Sequence, residues 1–507
     1  MLKRLFSHWP ICIIFIFGFW LRIQYLPSGQ LMFSYDQARD AFTINNELLR
    51  GDLKIQGPPT STRDFFHGVL YYYVLAPGYF LGHGSPTIAA IWLSAVNSVG
   101  IFLAYFIALQ LLKNRFWAGI TSLLIAVSYE QTQYSIYLAN TTLATIFVPL
   151  IYFGLWLWRN QKKPGSFLTG LALGLSFQAN FIFIYHLAVI VFSFLISKVR
   201  PSLRQVAVFI GVFLLTTSTM WLSEIKFGFP SRSGPAGLLN RSTYSRLQVS
   251  PTTILNTSIH QFKRLVSLNI TPTHPSLAII FFVICYLGFG IFGRKPDWWW
   301  LFSVSLVSFA PPLVLGGIGT PYIHAGLGLA VILFFVYFFS QFFSKFPPLV
   351  SFFLIPIVFS NLAYISRNNS KGETEFAIQK TMTLRHELDA IDYMYSEAQG
   401  KPFTFNSITA PLYINTTWSY LFNWYAKDKY GYFPFWHGRN QIGLQGNNLS
   451  RPPQDIHSVF VIIEPSQGLP QDLTDKILDE EKYYSSFNHQ KQFGEITVQN
   501  RTRRTSE

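Results

Sequence analysis

Charge is scarce in this sequence. Asp, Glu, Lys and Arg make up 12% of its 507 residues, against about 25% in an ordinary soluble domain. Cysteine is nearly absent too. Cys12 and Cys285 both lie inside apolar runs, which excludes a disulfide framework and a CxxC metal site. No GxxxxGK[ST] loop is present, so nucleotide hydrolysis is not indicated. No DxD motif for a nucleotide-sugar donor is present either, and there is no internal repeat or low-complexity tract. The chain carries a formal charge of +15. Its Lys and Arg stand mostly at the ends of apolar runs, so the excess points to membrane orientation and not to nucleic acid.

What is abundant is apolar and aromatic. Half of the residues are hydrophobic, 18% are aromatic, and 50 are Phe. That balance suits lipid as the solvent for much of the chain, where about 20 apolar residues span a bilayer. Apolar runs fall at 10–26, 86–112, 116–128, 143–158, 166–180, 182–198, 204–223, 276–293, 298–316, 322–343 and 347–366. They predict about eleven transmembrane helices, with the 166–198 pair read as two spans or as one kinked helix. The first run follows Lys3 and Arg4 but lacks a small-residue cleavage site, so it is an anchor and not a signal peptide.

With the N-terminus in the cytoplasm, the inside turns are Lys113–Arg115, Arg159–Lys163, Lys198–Arg204, Arg294–Lys295 and Lys345. All five are basic, as the positive-inside rule requires. The expectation is a multi-pass protein of the cell membrane with three outer segments, 27–85, 224–275 and the tail from about 367. Residues 1–366 form the membrane domain and 367–507 a small extracytoplasmic α/β or α+β domain. Its helices are expected at 375–398 and 472–484, its strands at Pro402–Ile408, Val459–Glu464 and Glu495–Val498, and its Arg501–Glu507 end is read as frayed.

The first outer segment is too long for a plain connection. Ser34-Tyr35-Asp36-Gln37 fits a capping box, with Ser34 as N-cap and Gln37 three residues on. Gly51 is expected to close the helix at C′. Tyr35, Ala38, Phe42 and Leu49 fall on one side, as in an amphipathic helix lying in the membrane interface. Asp36, Arg39 and Asp40 share the other side at i, i+3 and i+4. Downstream come Gly57-Pro58-Pro59-Thr60 and then His67-Gly68-Val69-Leu70-Tyr71-Tyr72-Tyr73. The first is a turn. The tyrosines are either an interfacial belt or part of a binding site, and His67 is read as phosphate-binding, metal-ligating or turn-capping.

Tyr35-Asp36-Gln37-Ala38-Arg39-Asp40, the Gly-Pro turn and the His-Gly-x-Leu-Tyr-Tyr-Tyr run resemble the dolichyl-phosphate-mannose–protein mannosyltransferase superfamily. The resemblance is nearer to the bacterial and archaeal branch that includes the aminoarabinose transferases. It is firmest over residues 30–160. It implies a GT-C membrane fold and transfer of a sugar from a polyprenyl-phosphate donor to an acceptor hydroxyl of a protein, glycolipid or polysaccharide. It places the family's first-loop catalytic Asp on Asp36. The second acid of the family's pair is not adjacent, because residue 37 is Gln; Asp40, one turn on, stands in for it.

The chemistry fits those residues. An acceptor hydroxyl needs a base to take its proton, and Asp36 sits in the first helical turn, where the dipole favours an ionised carboxylate. A leaving phosphate needs cations. Arg39, Arg63 and Lys54 are the candidates in the first outer segment, with His67, Tyr71 and Tyr72 nearby. In the segment Tyr129-Glu130-Gln131 to Asn140, Asn140 is either a sugar or phosphate contact or the N-cap of the next span. Glu130, at a span end, is either functional or a solvated helix-end acid.

The third segment holds Arg232, Arg241, Arg246, His260, Lys263 and Arg264, with a helix expected at 252–268. His260 and Lys263 are candidates for the donor phosphate; the alternative is a basic face on anionic head groups. His67 and His260 do not make a metal site by themselves, so no metal ligand and no cofactor is assigned, with a divalent ion left open. His186 reads as a packing histidine and His324 as a cavity residue. The rival class is a non-catalytic transporter or lipid-handling protein of the cell envelope. Transporters place polar residues near mid-membrane, whereas these spans are nearly free of charge.

Overall fold

The computed structural model describes residues 9–60, 64–197, 199–233, 250–292, 296–315, 319–344 and 346–504. Each apolar run lies mainly in helix. Among the described residues, four helical stretches are long and apolar enough to cross a membrane by themselves: Trp9–Ser28, Pro86–Leu112, Asn140–Arg159 and Pro348–Lys371. A fifth is the pair Leu203–Thr216 and Ser218–Lys226, if its 54° bend counts within one span. The breaks have local causes. Asn180 is extended and its side chain accepts from the Ile182 N–H at 3.0 Å, so 166–198 is two helices and not one kinked helix. The 298–316 run stops at Ser308 and resumes as a short turn at Pro311–Val314, because consecutive prolines cannot donate into a continuing helix.

Helix starts follow the capping residues. Ser85 accepts from the Ile88 N–H, with Pro86 at the first helical position, which suits the fixed φ of proline. Asn114 accepts from the Phe116 and Trp117 N–H groups at 2.9 and 3.3 Å. Ser250 accepts from the Thr253 N–H at 3.1 Å and opens the helix Pro251–Asn269.

The C-terminal part is a mixed five-stranded sheet with helices Leu384–Ala398 and Gln471–Tyr484. Its strands are β1 (Thr404–Ile408), β2 (Phe435–Trp436), β3 (Ser458–Ile463), β4 (Ser485–Phe493) and β5 (Ile496–Arg503), in the order β2-β1-β3-β5-β4. β1 runs parallel to β2 and β3, and β5 runs antiparallel to β3 and β4. Two expectations need correction. Arg501 is not in a frayed end: it is buried in β5 and binds Ser485 through Nε and Nη2 at 2.8 and 2.9 Å. The helix expected from 375 begins at Leu384, because residues 369–376 are spent on contacts with Gln133. That side chain donates to Asn369 Oδ1 at 2.8 Å and accepts from the Glu375 N–H at 2.8 Å.

The C-terminal unit packs onto the 27–85 segment. Backbone bonds run from Leu384 N–H to Leu31 O, Arg385 N–H to Gly29 O and Phe33 N–H to Met382 O, at 3.0 to 3.3 Å. Tyr420 receives a hydrogen bond from Asn45 at 3.0 Å, donates to Gly84 O at 2.6 Å, and packs against Phe33 and Phe42. One apolar core therefore runs from residues 26–93 into 382–498.

Two carboxyls are buried inside this unit without a cation. Glu464 accepts from the Ala410 N–H and the Trp418 indole at 2.9 and 3.0 Å. Neither oxygen of the fully buried Glu387 has a partner among the described residues. Burial pushes Glu464 up to about 7 from its usual 4.5, and burial with the Glu464 charge pushes Glu387 well above the carboxylate range. A carboxyl raised on folding contributes stability that is present at low pH and lost as pH rises through its folded pKa. The unfolding midpoint is thus expected to fall from pH 4.5 through 7. Glu387→Met should flatten that fall and stabilise the unit by about 1–4 kcal/mol at neutral pH. Thermal unfolding across pH checks this; a variant less stable at every pH would contradict it.

Candidate active site

The helix Tyr35–Asn46 begins as the capping box requires. The Ser34 N–H and hydroxyl reach Gln37 Oε1 at 3.1 and 2.8 Å, and Gln37 Nε2 donates to Leu138 O at 3.0 Å. Gln37 therefore both starts the helix and ties it to the 129–140 segment. The helix ends before Gly51: Glu47 is its C-cap, and Gly51, at φ 96°, closes the short turn Leu48–Arg50. Nor is it an interfacial helix with a wet polar side. Asp40 is buried, while Leu49 from the expected apolar side is exposed. The reason is that the helix Leu70–Leu81 covers one side and the helix Thr416–Leu421 the other.

That burial separates two carboxylates of one turn. Asp36 has a 62% exposed side chain and Asp40 a 7% exposed one. Arg39 bridges them. Its Nη1 lies 2.6 Å from Asp36 Oδ1 and its Nη2 2.7 Å from Asp40 Oδ1, with Nε bonded to the same oxygen at 2.9 Å. Tyr72 donates to Asp40 at 3.3 Å. Burial pushes Asp40 up to about 6, with Arg39 pulling against it. Asp40 therefore anchors Arg39, and Asp36 is the carboxylate open to a substrate.

Around this turn the expected residues divide. Tyr71 and Tyr72 point inward, and the Tyr71 hydroxyl has no partner among the described residues. Tyr73 points outward and donates to Lys54 O at 2.9 Å. Lys54 is paired with both Glu47 and Asp52. His67 stacks on Phe181, and burial and then Arg39 lower it to about 3. Its ring is neutral at working pH and supplies no cation. Asn140 caps nothing, since Ala139 holds the N-cap position of the turn Asn140–Leu143; it is half-buried beside the Gln37 anchor. Arg63, Arg241 and Arg246 lie outside the described residues.

The turn at Gly57 packs with unusual closeness. His67 N–H donates to Pro58 O at 2.8 Å. A Cβ on Gly57 would strike the Gly68 carbonyl, and one on Gly68 would strike Gln178. Gly57→Ala is expected to destabilise the protein by about 1–3 kcal/mol through overpacking. An unchanged unfolding midpoint would show that this hairpin yields.

The third segment corrects a second expectation. His260 and Lys263 are exposed on the helix Pro251–Asn269. The buried face holds Ser258, Gln261, Leu265 and Leu268, at i, i+3, i+7 and i+10. Arg264 reaches inward beside it. Its Nε donates to Gln261 at 3.2 Å, and both Nη atoms are buried without a partner among the described residues. The guanidinium stands 5.9 Å over Phe376, which also packs on Tyr134 and Tyr137 at 4.5 and 5.8 Å. Phe376, from the segment expected to be helix, is thus a shared neighbour of Arg264, Tyr134 and Tyr137.

Glu130 is buried and not a solvated helix-end acid. Asn269 Nδ2 donates to its Oε2 at 2.7 Å, and burial raises it while Arg264 pulls it down. His186 is a packing residue, bonded to the Tyr152 hydroxyl at 2.9 Å. His324 is buried, edge-on to Phe309. Among the described residues no group of three or more His, Cys, Asp and Glu gathers as metal ligands.

Two solved structures are similar to the chain over nearly its whole length. One is ArnT from Cupriavidus metallidurans in the apo state, at 10% identity and a TM-score of 0.49, covering 99% of this chain and 98% of that one. The other is ArnT from the same organism bound to undecaprenyl phosphate, at 10% identity and a TM-score of 0.49, covering 97% of each chain. No family model matches the sequence, and no curated protein matches it.

Proposed function

We propose that this protein is a GT-C-type glycosyltransferase that moves a sugar from a polyprenyl-phosphate donor to an acceptor hydroxyl at the outer face of a cell membrane. Asp36 takes the hydroxyl proton as the acceptor oxygen bonds to the anomeric carbon. The bond from that carbon to the phosphate oxygen breaks, and its electron pair leaves with the polyprenyl phosphate. Arg39 and Arg264 hold the phosphate charge. Arg264 takes the role first considered for His260 and Lys263, which lie on the exposed face of the same helix. The reaction is a single displacement, so the anomeric configuration inverts. Asp40 and Tyr72 position Arg39.

The observation that carries this reading is the division of labour within one helical turn. One carboxylate is exposed, the next is buried, and an arginine bridges them. A base needs access to its proton, and a phosphate clamp needs a rigid support. Asp36, Arg39 and Arg264 come from the segments 27–85 and 224–275 and not from the apolar runs, unlike the mid-membrane polar groups of a transporter. The basic turns support an orientation with these residues and the C-terminal unit outside.

The purified protein, given polyprenyl-phosphate sugars and membrane acceptors, is expected to release polyprenyl phosphate and form a glycoside of inverted configuration. A product that keeps the donor's configuration would contradict the single displacement.

A further inference from the structure

Glu130 is a buried acid that the proton transfer and the phosphate clamp do not use. It lies in the first turn of the short helix Tyr129–Gln133, and its two oxygens differ. Oε2 is held by Asn269, whose Oδ1 in turn accepts from Ser128 at 2.8 Å. Oε1 is buried without a partner among the described residues, and so is the neighbouring Tyr134 hydroxyl. A buried carboxylate oxygen left unpaired is costly. It is kept here on a rigid mount: Asn269 also donates to Leu265 O at 2.8 Å, and a Cβ on Gly328 would collide with both Glu130 and Asn269. Tyr134 packs flat against Phe376, the ring that Arg264 overlies. Two hydrogen-bonding groups with open valence thus stand beside the guanidinium proposed to hold the donor's phosphate.

We infer that Glu130 and Tyr134 form the subsite for the donor's sugar, with Glu130 Oε1 accepting a hydrogen bond from a sugar hydroxyl or ammonium group. This rests on the donor reading above and adds a specificity to it. The sugar must present a donor group toward Glu130, and sugars carrying a carboxylate on that side are repelled. The arrangement follows the general rule that a site built to pair with a hydroxyl rejects analogues lacking it, because its own buried group is then left unpaired.

The test compares two lipids, bare polyprenyl phosphate and polyprenyl-phosphate mannose, for binding to the full chain in detergent. The wild type is expected to bind the mannosyl lipid about tenfold more tightly than the bare one, the worth of one good hydrogen bond to a charged group. Glu130→Leu should erase that gain and leave affinity for bare polyprenyl phosphate unchanged. Glu130→Gln, which keeps the shape and one acceptor, should retain part of it. A Glu130→Leu protein that loses both affinities in parallel overturns the inference in favour of a structural role. Equal affinity of the wild type for the two lipids overturns it as well. A wild type that binds neither overturns both the inference and the donor reading on which it rests.

Discussion

Asp36→Asn is expected to lower the rate of glycosyl transfer by about 10²–10⁴-fold, the usual contribution of a positioned general base. Donor binding should stay nearly intact. Among the described residues Asp36 makes one side-chain hydrogen bond, to Arg39 Nη1, and 62% of its side chain is exposed, so its loss costs little folding stability. Arg39 keeps its bonds from Nε and Nη2 to Asp40. The signature is a fall in kcat with the donor KM little changed, as for an interaction made chiefly in the transition state. Asp40→Asn should behave differently. It weakens the support of a buried arginine and is expected to lower stability and raise the donor KM together. Wild-type transfer by Asp36→Asn, measured in membranes with matched protein amounts, would remove the residue from the chemistry.

The second large effect belongs to Arg264. Arg264→Met is expected to weaken binding of bare polyprenyl phosphate by about 10–100-fold, the range for one or two hydrogen bonds to a charged group. The protein should still fold, because neither Nη has a partner to lose among the described residues and the Nε bond to Gln261 is a single one. Methionine also replaces the apolar stem of the side chain against Phe376. Lys263→Met and His260→Ala lie on the exposed face of the same helix, and their effect should be small and removed by salt. Equal losses in all three variants would mean that this helix attracts lipid head groups and does not bind one phosphate.

The sequence showed some features for physical reasons and hid others for equally physical ones. The start of the Tyr35–Asn46 helix was legible because Ser34 and Gln37 form the box by themselves. Strands β1 and β3 were legible as short strand-like runs, and β5 only in its first half, because its polar continuation to Arg503 carries no strand signal. Strand β4 was not: Ser485–Phe493 is a polar edge strand, exposed along most of its length, so no alternating pattern marks it. The fate of Asp40 was hidden because a helical wheel cannot know that another helix, Leu70–Leu81, packs there and sets Tyr72 against Asp40. Arg264 was passed over because it sits in a run of basic residues. The spacing of Gln261, Leu265 and Leu268 separates it from Lys263, and that periodicity was available in the sequence. Phe376 was not, since the contacts of Gln133 with Asn369 and Glu375 are long-range ones that hold its segment out of helix and beside Arg264.

The most direct measurement is a structure of the protein with a polyprenyl-phosphate sugar bound. The account predicts the phosphate between Arg39 and Arg264, with the Asp36 carboxylate nearest the anomeric carbon and on the face opposite the phosphate. A donor whose phosphate rests on His260 and Lys263, or whose anomeric carbon lies nearer another carboxylate than Asp36, would contradict it.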